Sequence, residues 1–318
     1  MTITTRIDAV TKIPAAWLAA APPAPRSVKV ELTGRCNLRC SFCALRTRQV
    51  QPKGDMDFDL FRRITREMKD AGVEEIGVFY LGESCSAPDL LVRAISHVKL
   101  GLGFEYCFLT TNGTLMTPGL ADACMASGLD SMKFSINAAD PQQFAEVMGV
   151  KPRLFDDALK NLASVKAVRD DNHYPCGLYA SSILYDGEQA EKMEKMLEER
   201  VRPFVDEHYF LPLYGQMTHW NEDRKASLGY TPTAGNQGRI GALRDPLPCW
   251  SVMTEGHVTA DGILTSCCFD SDGTFAMGDL KTTPFMEAWH SASFQELRKA
   301  HIKKDVAGTI CEGCLAYA

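Results

Sequence analysis

Long apolar segments are missing from this chain. No stretch approaches the ~20 consecutive apolar residues that a membrane-spanning helix requires, so a membrane partner is not expected. The run at 13–22 follows two basic residues in the manner of a secretory signal, but Pro14 interrupts it and further prolines follow. We therefore expect residues 1–26 to form an N-terminal arm that packs on the main domain of a cytoplasmic protein.

Positive charge is also scarce. The 34 lysines and arginines are outnumbered by 40 aspartates and glutamates, which gives a formal net charge of −6. A nucleic-acid binder needs a basic face that neutralises phosphates, so the acidic balance argues against a nucleic-acid partner. The sequence contains no internal repeat or low-complexity segment, and its 318 residues suit one large domain with a small appendage.

Cysteine, in contrast, is abundant, with twelve in the chain. Such a count indicates either disulfides in a secreted protein or metal binding inside the cell. The cysteines are concentrated in an N-terminal trio and a C-terminal set, whereas disulfides that staple loops would be spread through the chain. This placement favours metal sites in a reducing cytoplasm.

Strand-like and helical patterns alternate from Ser27 to about residue 214. Apolar or alternating runs predict six strands, with amphipathic helical segments between them. The strands are expected at 28–32, 76–81, 104–109, 131–136, 177–184 and 208–213. Six such units in succession predict an α/β fold with a parallel sheet, helices outside it, and reactive groups at the carboxyl ends of the strands.

The pattern changes after the sixth strand. Residues 215–248 are rich in Gly, Thr, Asn and Arg, and we interpret them as a linker or a loop that covers the site. A hairpin is predicted at 252–259 and 263–267, followed by a helix from about residue 284 to 300. Residues 249–318 are therefore expected to form a small C-terminal domain of a β-hairpin and a helix.

Cys36, Cys40 and Cys43 follow the first strand directly, at the end where reactive groups gather. Three thiolates can hold a [4Fe-4S] cube and leave one iron without a protein ligand, where a chelating cofactor can bind. A zinc site that lacks a ligand and three structural cysteines are the alternatives. Because a closed zinc site needs four ligands and none follows nearby, the spacing favours the iron-sulfur cluster.

The segment Cys36-Asn37-Leu38-Arg39-Cys40-Ser41-Phe42-Cys43 resembles the cluster-binding motif of the radical S-adenosylmethionine (SAM) superfamily, including the aromatic Phe42. That resemblance implies a partial (β/α)6 barrel over residues 27–214, in which the three cysteines bind a catalytic cluster and SAM chelates the open iron. One electron, from a donor such as flavodoxin or ferredoxin, then cleaves SAM to a 5′-deoxyadenosyl radical. The radical abstracts hydrogen from a substrate C–H bond.

Three later strand ends strengthen the resemblance. Leu81-Gly82-Glu83 stands where the family usually has Gly-Gly-Glu, Thr110-Thr111-Asn112-Gly113 is similar to its Thr-Asn-Gly turn, and Ser135 and Asn137 end the fourth strand. By this resemblance the SAM contacts are Phe42, Gly82, Glu83, Thr111, Ser135 and Asn137. An arginine that the family often has beyond the serine is replaced by Val147-Met148-Gly149, so that contact is missing.

The C-terminal cysteines are Cys249, Cys267, Cys311 and Cys314, two near the hairpin and two in a terminal Cys-x-x-Cys. Zinc accepts four thiolates and is the alternative on spacing alone. The pattern, with Gly262 ahead of the second cysteine, resembles the twitch domain, a shortened form of the SPASM domain of radical SAM enzymes. That resemblance implies an auxiliary [4Fe-4S] cluster with no open iron, whose available role is electron transfer.

The two clusters together predict a radical SAM oxidoreductase. Hydrogen abstraction leaves a carbon radical on the substrate, and a nearby cluster can accept the electron that converts the radical to an oxidised product. We expect a dehydrogenation or an oxidative bond formation on a polar small molecule of the natural-product type. The sequence does not assign the catalytic base.

Three alternatives remain open on the sequence alone. The first is a peptide or protein maturase, although the 26 residues before the first strand are too few for a separate peptide-recognition domain. The second is a redox-neutral epimerase or decarboxylase; in the epimerase, the thiol of Cys85 would donate hydrogen to the substrate radical. The third is a non-catalytic zinc or iron-sulfur module, against which the ordered SAM motifs argue.

Overall fold

A computed structural model describes residues 2–43, 45, 54–212, 238–268 and 275–312. Within these residues nine strands form one sheet. The strands are β1 (Ser27–Val30), β2 (Glu75–Gly77), β3 (Tyr106–Thr111), β4 (Ser131–Ser135), β5 (Gly177–Ile183), β6 (Glu207–Leu211), β7 (Glu255–Val258), β8 (Ile263–Thr265) and β9 (Ala276–Asp279).

Strands β1 to β6 lie side by side in the order of the sequence, and every neighbouring pair is parallel. Helices connect them, as a parallel sheet requires. The α/β fold class and the parallel sheet that the sequence predicts are therefore confirmed.

The C-terminal strands continue the same sheet. Strand β7 pairs with β1 in parallel, so that Lys29 lies opposite His257. Strands β8 and β9 then follow in antiparallel order. The predicted C-terminal hairpin thus joins the β1 edge of the barrel sheet directly.

The helices flank this sheet. They are α1 (Ile3–Thr11), α2 (Phe58–Asp70), α3 (Pro88–Ser96), α4 (Pro118–Ala126), α5 (Pro141–Met148), α6 (Leu154–Asp171), α7 (Gly187–Arg200), α8 (Ser251–Thr254), α9 (Phe285–Trp289) and α10 (Ala292–Ile302). In α2 the Asp57 carboxylate accepts the Leu60 N–H at 2.8 Å, while Phe61, Ile64 and Met68 are fully buried on one face. None of the helices in the described ranges combines the length and apolarity needed to cross a bilayer.

Several element boundaries differ from the sequence prediction. The second strand ends at Gly77 instead of residue 81, and the chain beyond it turns toward the loop after β1, where the Glu83 N–H donates to the Arg35 carbonyl oxygen at 2.8 Å. The helix expected at 284–300 is two helices, because Ser291 caps the second one through the Phe294 N–H.

The expected hairpin strand at 252–259 begins only at Glu255. Residues 251–254 form the helical turn α8, which is stabilised by the hydroxyl of Thr254 donating to the Trp250 carbonyl oxygen at 3.0 Å. Helices α1 and α5 have no counterpart in the sequence prediction. Most of the expected linker, residues 215–237, lies outside the described residues.

Helix α1 crosses the end of the barrel where the strands begin. Its Thr4 hydroxyl bonds Glu207 at the start of β6, and its Arg6 pairs with Glu75 at the start of β2. The Arg6 guanidinium also lies 3.4 Å from the centroid of the Tyr106 ring on β3. The N-terminal arm therefore covers the amino end of the barrel and links strands that are not neighbours in the sheet.

Candidate active site

One cavity of about 430 Å³ lies inside the barrel and extends from helix α1 at the amino end to residues at the carboxyl ends of the strands. Its wall includes the three N-terminal cysteines and all six residues that the sequence predicts as SAM contacts. These residues are Cys36, Cys40, Cys43, Phe42, Gly82, Glu83, Thr111, Ser135 and Asn137. The fold brings them together because each follows or ends a successive parallel strand.

The cysteine loop is held by backbone hydrogen bonds to the end of α5. The Arg39 N–H donates to the Met148 carbonyl oxygen at 2.9 Å, and the Ser41 N–H donates to the Val147 carbonyl oxygen at 2.8 Å. Gly149 has a φ of +64°, and a Cβ there would lie 3.0 Å from the Arg39 carbonyl oxygen. The segment that replaces the family's arginine thus anchors the cysteine loop through its backbone.

A network of amide and hydroxyl groups joins the cysteine loop to the end of β3. The Asn112 amide donates to the Asn37 side-chain oxygen at 3.0 Å, and the Asn37 amide donates to the Thr114 hydroxyl at 2.7 Å. The Thr114 hydroxyl in turn donates to the side-chain oxygen of Asn112 at 2.6 Å. These bonds fix the orientation of the residue that directly follows Cys36.

Glu83 belongs to the same region of the wall. Its carboxylate accepts the Thr111 hydroxyl at 2.9 Å, the Asn112 N–H at 2.8 Å and the Cys85 N–H at 3.2 Å. Burial raises the pKa of Glu83, and the hydrogen bonds from Asn112 and Cys85 only partly offset that effect. The carboxylate is therefore held rigidly beside the cavity in a poorly solvated setting.

Gly82 touches the loop after β1. A Cβ at this position would lie 1.9 Å from the Thr33 carbonyl oxygen, so no larger residue fits without moving the backbone. The Gly82 N–H donates to Oε1 of Glu31 at 3.0 Å, and Oε2 of Glu31 accepts the Ala260 N–H at 2.9 Å. The fully buried Glu31 therefore connects the Gly82 loop to the β7–β8 turn.

Asn137 bridges the carboxyl ends of β4 and β5. Its side-chain oxygen accepts the Ile183 N–H at 3.1 Å, and its carbonyl oxygen accepts the Tyr185 hydroxyl at 2.6 Å. Ser135, two residues earlier, also lines the cavity. The two predicted SAM contacts of this strand are thus placed on one wall.

The deeper part of the cavity carries charge. Nζ of Lys29 lies 2.7 Å from Oε1 of Glu255, and Nε2 of His257 lies 2.9 Å from Oε2 of the same carboxylate. Burial alone would raise the pKa of Glu255, but Lys29 and His257 outweigh it and hold that pKa at about 2. Lys133 of β4 faces the same cavity.

The N-terminal trio fits an iron-sulfur cluster by the chemistry of its donors. The three thiols are half-buried on one cavity wall, and burial raises the pKa of Cys36 to about 12, so the thiolate needs a positive charge such as iron. In the described part of the chain, no three His, Cys, Asp or Glu side chains converge on a point that suits a single metal ion. A cube does not require such a point, because each cysteine binds a different iron.

Three of the four C-terminal cysteines, Cys249, Cys267 and Cys311, are buried, and the fourth, Cys314, lies outside the described residues. The fully buried His301 lies between two of them. Its Nδ1 accepts the Cys249 N–H at 3.2 Å, and its Nε2 lies 3.3 Å from Sγ of Cys311. Buried thiols, one of them in contact with a histidine ring nitrogen, suit a cluster in which every iron has a protein ligand.

The C-terminal cysteines lie next to the cavity. The hydroxyl of Tyr80, two residues before Gly82, donates to the Cys267 carbonyl oxygen at 2.9 Å. Trp250 and Cys268, each adjacent in sequence to a predicted ligand, line the cavity itself. The cavity therefore reaches from the N-terminal trio to the immediate neighbours of the C-terminal set.

Four of the five remaining cysteines are buried. Cys107, Cys124 and Cys176 are buried, as expected for core residues. Cys85 is 5% exposed, its Sγ lies 3.5 Å from the Thr111 hydroxyl, and burial raises its pKa well above the usual range. Burial keeps this thiol protonated, as a hydrogen donor requires, and its role in an epimerase stays a prediction.

Sequence reasoning missed four residues of the site. Glu31 and Asn37 position the loops, Lys133 faces the cavity, and His301 contacts a predicted ligand. A signal existed for Lys133, because Ser131, Lys133 and Ser135 are alternate polar positions in a strand that a parallel sheet would otherwise fill with apolar residues. No sequence pattern indicates His301, because it lies among lysines at the end of a predicted helix, where a surface residue is expected.

Two family models match the chain. The model described as "Radical SAM superfamily" matches residues 30–200, and the one described as "Iron-sulfur cluster-binding domain" (SPASM) matches residues 249–315. Among curated proteins, the AdoMet-dependent heme synthase of Methanosarcina barkeri is 25% identical over 93% of this chain and 92% of that protein. The GTP 3',8-cyclase of Synechococcus sp. (strain CC9902) is 24% identical over 87% of this chain and 92% of that protein.

Solved structures share the fold. Native anSMEcpe with bound AdoMet has a TM-score of 0.66 at 13% identity, and the match covers 91% of this chain and 88% of the anSMEcpe chain. Streptococcus suis SuiB bound to S-adenosylmethionine has a TM-score of 0.63 at 15% identity, covering 93% of this chain and 72% of its own. BtrN in complex with AdoMet and 2-DOIA has a TM-score of 0.55 at 15% identity, with 87% of each chain covered.

Proposed function

The chain belongs to the radical SAM superfamily and carries a C-terminal auxiliary-cluster domain, and from that premise we propose that it oxidises a polar small molecule. Its cofactors are SAM and two [4Fe-4S] clusters. When bound, these groups supply an oxidant that removes hydrogen from a C–H bond and an acceptor for one further electron. The reaction is a dehydrogenation or an oxidative bond formation.

Each predicted residue has a place in this proposal. Cys36, Cys40 and Cys43 hold the catalytic cluster, and the carboxylate of Glu83 and the backbone of Gly82 receive the amino group of SAM. Phe42, Thr111, Ser135 and Asn137 complete the SAM site on the surrounding strand ends. Cys249, Cys267, Cys311 and Cys314 hold the auxiliary cluster.

One cavity borders the N-terminal trio and the sequence neighbours of two C-terminal cysteines, and this placement supports the oxidation. It is lined by the N-terminal trio on one side and by Trp250 and Cys268 on the other. A two-electron oxidation requires the substrate to lose a hydrogen atom and then one proton and one electron. A substrate in this cavity would lie against the N-terminal trio and against residues adjacent in sequence to Cys249 and Cys267.

The small-molecule substrate is supported by two curated relatives that match most of this chain. They are named a heme synthase and a GTP cyclase, and each is matched over at least 87% of this chain. The PqqA peptide cyclase of Methylorubrum populi matches only 41% of this chain at 29% identity. A peptide substrate is therefore the second candidate.

The experiment uses anaerobically reconstituted protein, SAM and a one-electron reductant, with formation of 5′-deoxyadenosine as the readout. Cell extract from the source organism is divided into a small-molecule fraction and a peptide fraction. We expect the small-molecule fraction to accelerate SAM cleavage and to contain a product that has lost two hydrogen atoms. Acceleration that only the peptide fraction gives, and that protease removes, would identify a maturase, and an isomeric product would identify an epimerase.

A further inference from the structure

Strand β4 presents a lysine to the inside of the barrel. Ser131, Lys133 and Ser135 line the cavity, while the alternate residues Met132 and Phe134 are fully buried under the helices. A cationic side chain inside a parallel barrel costs free energy unless an anion pairs with it. The partners of Lys133 therefore decide its role.

The other cavity cations have carboxylate partners. Lys29 pairs with Glu255 at 2.7 Å, and Arg6 pairs with Glu75. Within the described ranges, Lys133 forms no ion pair, and its ammonium lies 6.0 Å from the centroid of the Tyr209 ring. Among the described residues, Lys29 is the charged group that acts on Lys133, and it repels the ammonium.

Hydroxyl groups of the neighbouring strands face the cavity near Lys133, whereas the cavity carboxylate of Glu255 is already paired with Lys29. Ser181 lies opposite Ser135 in the β4–β5 register, and Tyr209 lies opposite Ser181 in the β5–β6 register. All three residues line the cavity. Burial, and then the charge of Lys29, lowers the pKa of Lys133 to about 8, so the ammonium form still predominates at neutral pH.

We propose that Lys133 binds an oxyanion of the substrate, a carboxylate or a phosphate, so that the substrate is an anionic small molecule. The inference rests on the proposed function, because it takes this cavity to be the active site. Lys133 precedes Ser135 by two residues and lies about 7 Å deeper along the strand. The oxyanion therefore binds below the SAM contacts, and the rest of the substrate extends from it toward the N-terminal trio.

The test measures thermal unfolding of the reconstituted holoenzyme at saturating SAM and constant ionic strength. Inorganic phosphate and acetate are the probes, with glycerol as the neutral comparison. We expect one or both anions to raise the unfolding midpoint of the wild type by about 2–4 °C. The preferred anion identifies the group as phosphate or carboxylate.

Three variants make the result specific to Lys133. Lys133→Met should lose the anion-dependent shift, and Lys133→Arg should keep part of it because the charge remains. Lys281→Met, at a lysine whose side chain is 51% exposed, should behave like the wild type. A shift that Lys133→Met retains would overturn the proposal.

Two further outcomes would also overturn it. If the anion effect occurs without SAM and disappears when SAM saturates the enzyme, Lys133 binds the carboxylate of SAM itself. If Lys133→Met lowers the midpoint in the absence of added anion, the lysine stabilises the fold. Because none of these measurements requires turnover, they are independent of SAM cleavage, whose absence in the wild type would reject the proposed function instead.

Discussion

Nε2 of His301 lies 3.3 Å from Sγ of Cys311, and the tautomer of the ring makes this contact a hydrogen bond to sulfur. Nδ1 accepts the Cys249 N–H and therefore carries no proton. Burial lowers the pKa of His301 to about 4, so the ring is neutral and its proton is on Nε2. His301 thus donates to the sulfur of a predicted cluster ligand.

We expect His301→Leu to lower the reduction potential of the C-terminal cluster. A hydrogen bond to a ligand sulfur stabilises the more negative, reduced cluster. A loss of about 1 kcal/mol corresponds to roughly 40 mV for one electron. Redox titration followed by electron paramagnetic resonance measures the potential. His301→Gln, which keeps a donor, is the control, and an intact cluster with an unchanged potential in His301→Leu would contradict the prediction.

Glu31→Gln should weaken both the fold and SAM binding. The amide nitrogen cannot accept a hydrogen bond, so either the Gly82 or the Ala260 N–H loses its partner in a fully buried position. We expect a loss of about 1–3 kcal/mol in the free energy of unfolding. Urea unfolding and a SAM titration measure the two effects. Glu74→Gln, at a side chain that is 44% exposed, is the control and should change little.

Gly82→Ala should abolish SAM binding, because its Cβ would lie 1.9 Å from the Thr33 carbonyl oxygen and the loop would have to move. Gly119→Ala is the matched control, since nothing lies within 4 Å of its added Cβ on α4. We expect this control to gain up to about 1 kcal/mol of stability and to bind SAM normally. Calorimetric titration with SAM compares the two, and wild-type affinity in Gly82→Ala would refute the close-contact argument.

Lys133 should make stability depend on pH above neutrality. Its pKa is lowered from 10.5 to about 8 in the folded state. Below pH 8 the lysine is therefore protonated in both the folded and the unfolded protein. Between pH 8 and 10.5 the unfolded chain binds more protons, and raising the pH therefore favours the folded state through this group. The stability advantage of Lys133→Met over wild type should be largest below pH 8 and should shrink toward pH 10. Urea unfolding across this range tests the trend, and a constant difference would show that the pKa is not lowered.

Local patterns predicted the parts of the site that depend on strand order. The predicted site residues meet in one cavity because each follows or ends a successive parallel strand. They are the N-terminal trio, Gly82, Glu83, Thr111, Ser135 and Asn137. Their roles as ligands remain predictions.

Long-range pairing determined the rest. Lys29 meets Glu255 only because β7 pairs in parallel with β1, and no local pattern indicates that register. Glu31 reaches Ala260 for the same reason. Helix α1 covers the barrel through the ion pair of Arg6 and Glu75. These two residues are far apart in the sequence, where each has the pattern of an ordinary surface charge. Such contacts depend on tertiary structure, which composition and periodicity do not encode.

Cys36, Cys40 and Cys43 are proposed to hold a cluster with one open iron, and the SAM site and the oxidation both depend on it. The direct measurement is the iron and sulfide content of anaerobically reconstituted protein, together with reductive SAM cleavage. We predict about eight irons in the wild type. Cys40→Ala should hold about four irons and cleave no SAM, whereas Cys311→Ala should retain cleavage and lose oxidised product. SAM cleavage by Cys40→Ala, or zinc in place of iron at the wild-type trio, would contradict the account.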